Sequence, residues 1–232
     1  MSVAVARERT GLRVGGGGLL AWSASCLVVG AMALVLAASL NPNPTGANAA
    51  SVLQLAMMPG GDRWLAMAAA LLVGSVALLF GLPTLLIPFA DRARGLGGTA
   101  VAVFALGVLG CAGYAMMLIF VQALAVEGAL RPARLEPVLD DAGVAMVLFG
   151  WVGSFYLGGL LLALALLRAR RTAVWVPIVL LVVVGMLPFV SMMGHVGQVL
   201  QVLLLAVALT GIATSAVQHA TPTADRGDRH PS

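Results

Sequence analysis

Long runs of apolar residues, separated by short polar or charged segments, recur six times along this chain. Each run has about 20 residues or more, which is the length that an α-helix needs to cross the hydrocarbon core of a bilayer. Apolarity is continuous within each run and does not alternate as in a half-buried strand, so the pattern predicts helices. We therefore expect an all-α polytopic membrane protein, a six-transmembrane-helix bundle. The predicted spans are Gly17–Leu40, Trp64–Ala90, Gly98–Val126, Ala142–Leu167, Ala173–Met193 and Val196–Val217.

The segments between the spans are short, so the sequence predicts a single transmembrane domain over residues 17–217. Residues 1–16 are expected to form a cytoplasmic tail, and residues 218–232 a disordered cytoplasmic tail. The first apolar run is longer than the core of a cleaved signal peptide, so it is expected to remain as span one. Pro188 and Gly194 separate the last two spans, because proline removes a helix N–H and glycine tolerates a reversal of the backbone.

Arginine lies mainly on one side of the predicted spans. The chain has thirteen basic residues, all of them arginine. Ten flank the same ends of the spans, namely Arg7, Arg9, Arg13, Arg92, Arg94, Arg168, Arg170, Arg171, Arg226 and Arg229. Only Arg63, Arg131 and Arg134 flank the opposite ends. Because positive charge concentrates on the cytoplasmic side, both termini are expected to be cytoplasmic. The bias toward Ala, Gly, Leu, Val and Arg suggests a GC-rich genome, and hence a bacterial cytoplasmic membrane.

Composition argues against two other classes of protein. The apolar fraction is 61% and the charged fraction 9%, against roughly 25% charged residues in soluble domains. The net charge of +4 invites a nucleic-acid partner, but the arginines follow the spans and form no single patch, so none is expected. No acidic or basic residue lies well inside a span, which argues against ion-coupled transport, since intramembrane ionisable groups usually mark ion pathways.

Motifs that carry chemistry are missing from the sequence. It has no phosphate-binding loop, zinc-protease motif or nucleophile elbow. Methionines concentrate in the predicted outer half, and thioether sulfur together with imidazole suits Cu(I). They form no closely spaced series with histidine or cysteine, however, and methionine also fills gaps in apolar interiors. We therefore predict that the protein is not an enzyme, with no catalytic, cofactor-binding or metal-binding residue and no cofactor.

Five polar residues form the candidate binding site. His195, Gln198 and Gln201 recur at three-residue spacing near the outer end of span six and share a broad helix face. Tyr114 and Gln122 share a face of span three. We expect these side chains to point into the bundle and to lie near one another, lining an outward-facing polar pocket. The alternative is that they only make hydrogen bonds between helices.

Small residues spaced by four predict close packing of helices. One stripe lies on span four and the other on span six; they are Gly150, Ser154 and Gly158, and Ala206, Thr210 and Thr214. Such stripes allow two helix backbones to approach closely. They therefore predict contacts within the bundle or, as an alternative, the contact surface of a homodimer.

Two stretches of the chain carry a resemblance to a known group. They are Gly61–Trp64 with Asp91–Arg94 around span two, and Gly158–Arg168 with Arg171 and Trp175 after span four. In these features the chain resembles a group of uncharacterised six-helix integral membrane proteins of GC-rich bacteria. Members often have a histidine shortly after the tryptophan of span two, where this chain has Ala66–Met67–Ala68. The resemblance implies the six-helix layout but supplies no activity.

Two functions remain open from the sequence. One is a non-enzymatic multi-pass protein that binds a partner protein or lipid in addition to the surrounding bilayer. The other is a small carrier or binding protein for an apolar or weakly polar solute. Pro83 and Pro177 interrupt spans two and five at matching places in two three-span halves, which favours a carrier. An enclosed polar cavity would favour the second function, and a solid core would favour the first.

Six crossings with an arginine-rich inner face predict the outcome of reporter fusions. Alkaline phosphatase fused after Ser232 should be inactive, whereas the same enzyme inserted between Glu127 and Asp141 should be active, because only the latter position is exported. Enzyme activity normalised to fusion abundance measures both. An active C-terminal fusion would contradict the six-span topology.

Overall fold

The computed structural model describes residues 3–42, 61–89, 93–128 and 141–220, and every regular element in these segments is helical. This confirms the all-α prediction for the described part of the chain. The helices are α1 (Val3–Leu40), α2 (Gly61–Leu86), α3 (Arg94–Val126), α4 (Ala142–Ala169), α5 (Trp175–Gly185) and α6 (Leu187–Ala220). A 3₁₀ turn, Ile87–Phe89, follows α2. Helix α1 begins well before the predicted first span, since alanine, arginine, glutamate and leucine in its first turns favour a helix. The predicted tail beyond Ala220 lies outside the described residues.

The helices have the length and the surface of membrane-embedded segments. Five are long and apolar enough to cross a membrane: Gly18–Leu40, Asp62–Phe89, Arg94–Val126, Gly150–Ala169 and Met192–Gln218. The sixth, α5, is apolar but has only 11 residues. Large apolar side chains such as Val29, Leu106, Phe120 and Val207 are more than two-fifths exposed on the outside of the bundle. Such a surface suits lipid, and an α-helix satisfies its own backbone hydrogen bonds there.

The six helices form a closed ring. Each helix packs against the next one in the chain, and α1 also packs against α6. Neighbours are antiparallel: Leu27 near the middle of α1 lies against Gly81 late in α2, while the carbonyl of Leu40 accepts a hydrogen bond from Arg63 Nε at 3.1 Å. That bond also satisfies a carbonyl at the C-terminal end of α1, which has no partner within its own helix. The result is an up-and-down bundle.

Glycines set how closely two pairs of helices approach. Between α1 and α2, a Cβ added at Gly30 would lie 2.7 Å from the backbone nitrogen of Leu78. Between α3 and α4, a Cβ at Gly107 would overlap the backbone of Phe155, and a Cβ at Gly158 would overlap the backbone of Phe104. Only glycine permits such contacts, because any side chain would push the two helices apart.

Only part of the stripe of small residues predicted on α4 takes part in this packing. Gly158 lies against α3, whereas nothing lies within 4 Å of a Cβ at Gly150. The Ser154 hydroxyl bonds back to the Gly150 carbonyl in its own helix at 2.8 Å. The reason is that α4 presents Trp151 and Phe155 to α3, so its interface lies beside the stripe and shares only Gly158 with it.

The chain reverses direction at Gly194. This residue has φ 61° and ψ −145°, a conformation that glycine adopts without the cost of a Cβ clash. On either side of it the segments run antiparallel, since Val183 meets Gln201 and Trp175 lies against Gly211. The chain therefore folds back within the element that spans Leu187–Ala220, at one of the two residues predicted to separate the last spans.

Pro177 does not interrupt a helix, and the sequence prediction was wrong on this point. Helix α5 begins at Trp175, so Pro177 lies in its first turn, where backbone N–H groups have no partner within the helix. The interruption lies instead between α5 and α6, at Met186 and Pro188. Pro83 lies inside α2, which continues through it.

Leucine and phenylalanine side chains fill the half of the bundle nearest Arg94 and Ala169. Five of the largest fully buried side chains here come from different helices: Leu27, Leu85, Phe104, Leu166 and Leu209. The Phe104 and Phe155 rings stack with centroids 5.0 Å apart. Apolar side chains fill the core of this half and hold the helices of the ring together. A binding site is therefore expected in the opposite half.

Leucine substitutions at two glycines of α4 should differ in their effect on stability, because one glycine is packed against α3 and the other faces open space. Gly158→Leu should lower the free energy of unfolding by about 1–3 kcal/mol, because the new side chain must displace the backbone at Phe104. Gly150→Leu changes the same residue type in the same helix where there is open space, and should be nearly neutral. Unfolding of the purified protein in detergent measures both. Equal losses would mean that α4 does not pack on α3 through Gly158.

Candidate functional site

A cavity of about 350 Å³ lies inside the ring, in the half of the bundle that contains Leu40 and Gly61. All six helices, together with Asn41 just after α1, contribute to its wall. The lining residues are Leu34, Ala37, Ala38, Asn41, Trp64, Met67, Leu71, Cys111, Tyr114, Leu118, Trp151, Val152, Phe155, Tyr156, Val183, Gln198, Gln201, Val202 and Leu205. A volume of this size is at the lower end of the range for pockets that hold small molecules.

Aromatic rings form much of the wall. Trp64, Tyr114, Trp151, Phe155 and Tyr156 all line the cavity. The Tyr114 and Trp151 rings lie 5.5 Å apart, tilted by 34°. The indole N–H of Trp64 donates to the carbonyl of Leu118 at 3.3 Å, which holds that ring between α2 and α3. None of the described residues that line the cavity is charged, so this wall suits an uncharged ligand.

Gln201 is the buried polar centre of the site, with 3% of its surface exposed. Its Nε2 donates to the carbonyl of Val183 at 2.9 Å, and its Oε1 accepts a hydrogen bond from the Tyr156 hydroxyl at 3.1 Å. The partner in α5 lies just before the interruption caused by Pro188, which lacks an N–H and disturbs the carbonyls one turn earlier. Gln201 thereby joins α4, α5 and α6, and its burial is compensated by two hydrogen bonds.

A second amide pair joins the first and last helices at the end of the cavity. Nδ2 of Asn41, just beyond α1, donates to Oε1 of Gln198 in α6 at 3.0 Å. Both residues line the cavity. The pair lies about one turn of α6 away from Gln201, so the polar groups follow one face of this helix. This bond closes the ring at the end of the cavity that lies near Leu40 and Gly61.

Three of the five residues predicted for the site lie together, and two do not. Tyr114, Gln198 and Gln201 line the same cavity, whereas His195 and Gln122 are absent from its wall. His195 directly follows the reversal at Gly194 and is half-buried; its Nδ1 is buried and accepts no hydrogen bond from the described residues. Its position at the start of the helix places it one turn beyond the wall.

The sequence analysis did not select several residues that form the site. Asn41 was not predicted to belong to it, Trp64 was interpreted as the start of span two and as part of a resemblance, and Trp151 and Tyr156 were not singled out. A signal for the last two was present: Trp151, Phe155 and Tyr156 lie within two turns of one span, and Trp151 and Phe155 share a face of the helix. Spacing alone does not tell which ring faces inward.

The second stripe of small residues lies on the outside of the bundle. Ala206, Thr210 and Thr214 line a shallow apolar groove of about 270 Å³, together with Met32 from α1 and Trp175 from α5. Ala206 is buried, while Thr214 is exposed. The groove therefore faces the surroundings of the bundle and is separate from the internal cavity.

Comparison of the chain with protein-family models, with curated proteins and with solved structures found no match. The geometry of the cavity is therefore the basis for inferring the function of the protein. Its amide, hydroxyl and thiol groups can hydrogen-bond a ligand, and its rings can stack on one. This arrangement is suited to binding.

Removing the amide of Gln201 should destabilise the bundle. Gln201→Leu leaves the Val183 carbonyl without its donor and the Tyr156 hydroxyl without its acceptor, and should lower the free energy of unfolding by about 1–3 kcal/mol. Gln218→Leu, at an exposed position of the same helix, is the control and should change it by less than about 0.5 kcal/mol. Denaturation in detergent gives both values. No difference between the two variants would mean that the Gln201 network does not hold α5 to α6.

Proposed function

We propose that this protein binds a neutral, apolar or weakly polar solute in the cavity between its six helices. The observation that carries the proposal is a cavity lined by every helix, with aromatic walls and the buried Gln201–Tyr156–Val183 network beside it. The non-enzymatic role expected from the sequence is part of the proposal, since the wall offers groups for binding and stacking.

The energetics of packing favour a binding role. An internal space costs roughly 24 cal/mol per Å³ of volume that side chains leave unfilled. Burying amides such as Gln201 in apolar surroundings also costs free energy unless each is fully hydrogen-bonded. Leucine side chains fill the other half of the same bundle, so filling this half was open to the chain. Space and polar groups together are what a ligand site requires.

A topology of six crossings places the cavity in the outer half of a bacterial cytoplasmic membrane. Residues 175–193, taken as one slightly bent segment, would extend roughly 28 Å at about 1.5 Å per residue, near the thickness of the hydrocarbon core. This segment runs antiparallel to the remainder of α6, which supports counting it as a crossing. With six crossings both termini are cytoplasmic, in agreement with the arginine distribution.

The filled half of the bundle supports binding over passage. The apolar core around Phe104 and Leu209 occupies the described part of the bundle between the cavity and the arginine-rich side. Access from the outer side is therefore favoured, and the proposed role is that of a binding protein. A carrier would in addition have to open this core.

A second candidate function is contact with a membrane-protein partner, a second copy of the chain or a lipid. The groove beside Ala206 and Thr210 favours it, since small residues admit a close neighbour. The groove is shallower than the internal cavity and has fewer polar groups. Binding in the cavity is therefore the first proposal.

Filling the cavity should abolish ligand binding. Ala38 lines the cavity and is 7% exposed, so Ala38→Phe would place a ring in the space that a ligand needs. A neutral ring compound that binds the folded state should raise the melting temperature of the wild type, because ligand binding stabilises the state it prefers. The variant should lose this rise.

The matched control is Ala102→Phe, which adds the same ring at an exposed position of α3. It should keep the full rise in melting temperature, and thereby separate binding in the cavity from a general effect of the compound on the detergent micelle. A panel of uncharged one- and two-ring compounds provides the probes. Equal rises in both variants, or no rise with any compound in the wild type, would contradict the proposal.

A further inference from the structure

The orientation of the Gln201 amide decides which polar groups face a ligand. A backbone carbonyl can only accept, so the group that meets the Val183 carbonyl must be the Nε2 amide nitrogen. Oε1 is then directed to Tyr156, whose hydroxyl donates to it. Of the two N–H groups on Nε2, one serves Val183 and the other has no acceptor among the described residues. One N–H group of Gln201 is therefore without an acceptor among the described residues, whereas its Oε1 already accepts a hydrogen bond.

Gln198 and Tyr114 repeat this imbalance. Oε1 of Gln198 accepts from Asn41, which leaves both N–H groups of its Nε2 without an acceptor in the described part of the chain. The Tyr114 hydroxyl likewise makes no hydrogen bond to a described residue, and its ring lies on Trp151. All three side chains line the cavity. Gln198 and Gln201 therefore leave N–H donors uncommitted while each of their amide oxygens already accepts a hydrogen bond, and Tyr114 adds an O–H group.

From this imbalance we infer that the cavity selects neutral, flat ring compounds that carry a carbonyl oxygen. The inference rests on the proposed function, because it names the ligand class of the same cavity. A carbonyl oxygen would accept the donors that Gln198, Gln201 and Tyr114 leave uncommitted. The ring would stack against Trp64 and Trp151. Aromatic ketones and membrane-soluble quinones belong to this class.

The same wall disfavours two other ligand classes. A cation could rest on aromatic faces, but here it would meet N–H donors and no described carboxylate. A pure hydrocarbon would leave the donors dry and unpaired, which is costly in an apolar environment. Discrimination is greatest when a site built to hydrogen-bond a group meets an analogue that lacks it.

Three naphthalene probes test the inference: 2-acetylnaphthalene and 2-isopropenylnaphthalene, which have the same planar shape, and naphthalen-2-yl-trimethylammonium, which is of similar size. The first carries a carbonyl, the second replaces its oxygen by CH₂, and the third carries a positive charge. Equilibrium dialysis of each against the full-length protein in detergent, with empty micelles as reference, gives its dissociation constant. We expect the ketone to bind at least tenfold more tightly than the hydrocarbon, and the cation to bind more weakly than both.

The Gln198→Leu variant locates the effect in the cavity. It should weaken binding of the ketone by about two- to tenfold, the usual worth of a hydrogen bond, and should not weaken binding of the hydrocarbon, which loses two unpaired donors from its surroundings. Tyr114→Phe, which removes only a hydroxyl, should act in the same direction. Gln218→Leu, on the exposed end of α6, should change neither dissociation constant.

The possible results distinguish a failure of the carbonyl selectivity from a failure of the proposed binding function. Equal binding of ketone and hydrocarbon, abolished by Ala38→Phe, would retain the binding site and overturn the carbonyl selectivity. Tighter binding of the cation would overturn it as well. If none of the probes binds above the micelle reference, both the selectivity and the proposed function are contradicted.

Discussion

In lipid every backbone N–H and C=O must find a partner within the protein, and this constraint shapes the whole molecule. Over most of the described chain, helices meet it by themselves. Where proline interrupts the pattern at Pro188, the carbonyl of Val183 receives its hydrogen bond from the side chain of Gln201. The requirement to satisfy a broken helix thus places an amide inside the bundle. The polar residues of the cavity wall lie around that amide.

Packing divides the bundle into two unlike halves. Near the arginine-rich ends, glycines such as Gly30, Gly81 and Gly158 let helices approach until backbones touch, and leucine and phenylalanine fill the centre. Toward the opposite ends, hydrogen bonds between polar side chains also hold the ring, including the Asn41–Gln198 pair. Aromatic rings line the centre there without filling it. One half serves as a scaffold, and the other half is free to hold a ligand.

The site combines features that seldom serve stability alone. Amides inside an apolar bundle need partners, and here the amide oxygens of Gln198 and Gln201 each accept a hydrogen bond within the protein while some of their N–H groups remain uncommitted. When one kind of hydrogen-bonding group is in excess, the cavity prefers a ligand that carries the complementary group. Only such a ligand removes the free-energy cost of leaving those groups without a partner. Aromatic walls add a preference for flat molecules.

The sequence by itself determined the membrane-embedded all-helical fold, because the length and continuity of apolar runs are local properties. It also located much of the polar face of the last helix, since Gln198 and Gln201 share a face at any rotation of that helix. Only the tertiary structure decided which neighbour each face meets. Periodicity does not fix the rotation of a helix about its axis or its register along the next one. That is why Gly158 packs while Gly150 of the same stripe does not, and why Tyr156 joined the site while His195 did not. Ring closure between α1 and α6 joins residues more than 150 positions apart in sequence, as in the Asn41–Gln198 pair, and the cavity exists only once it has formed.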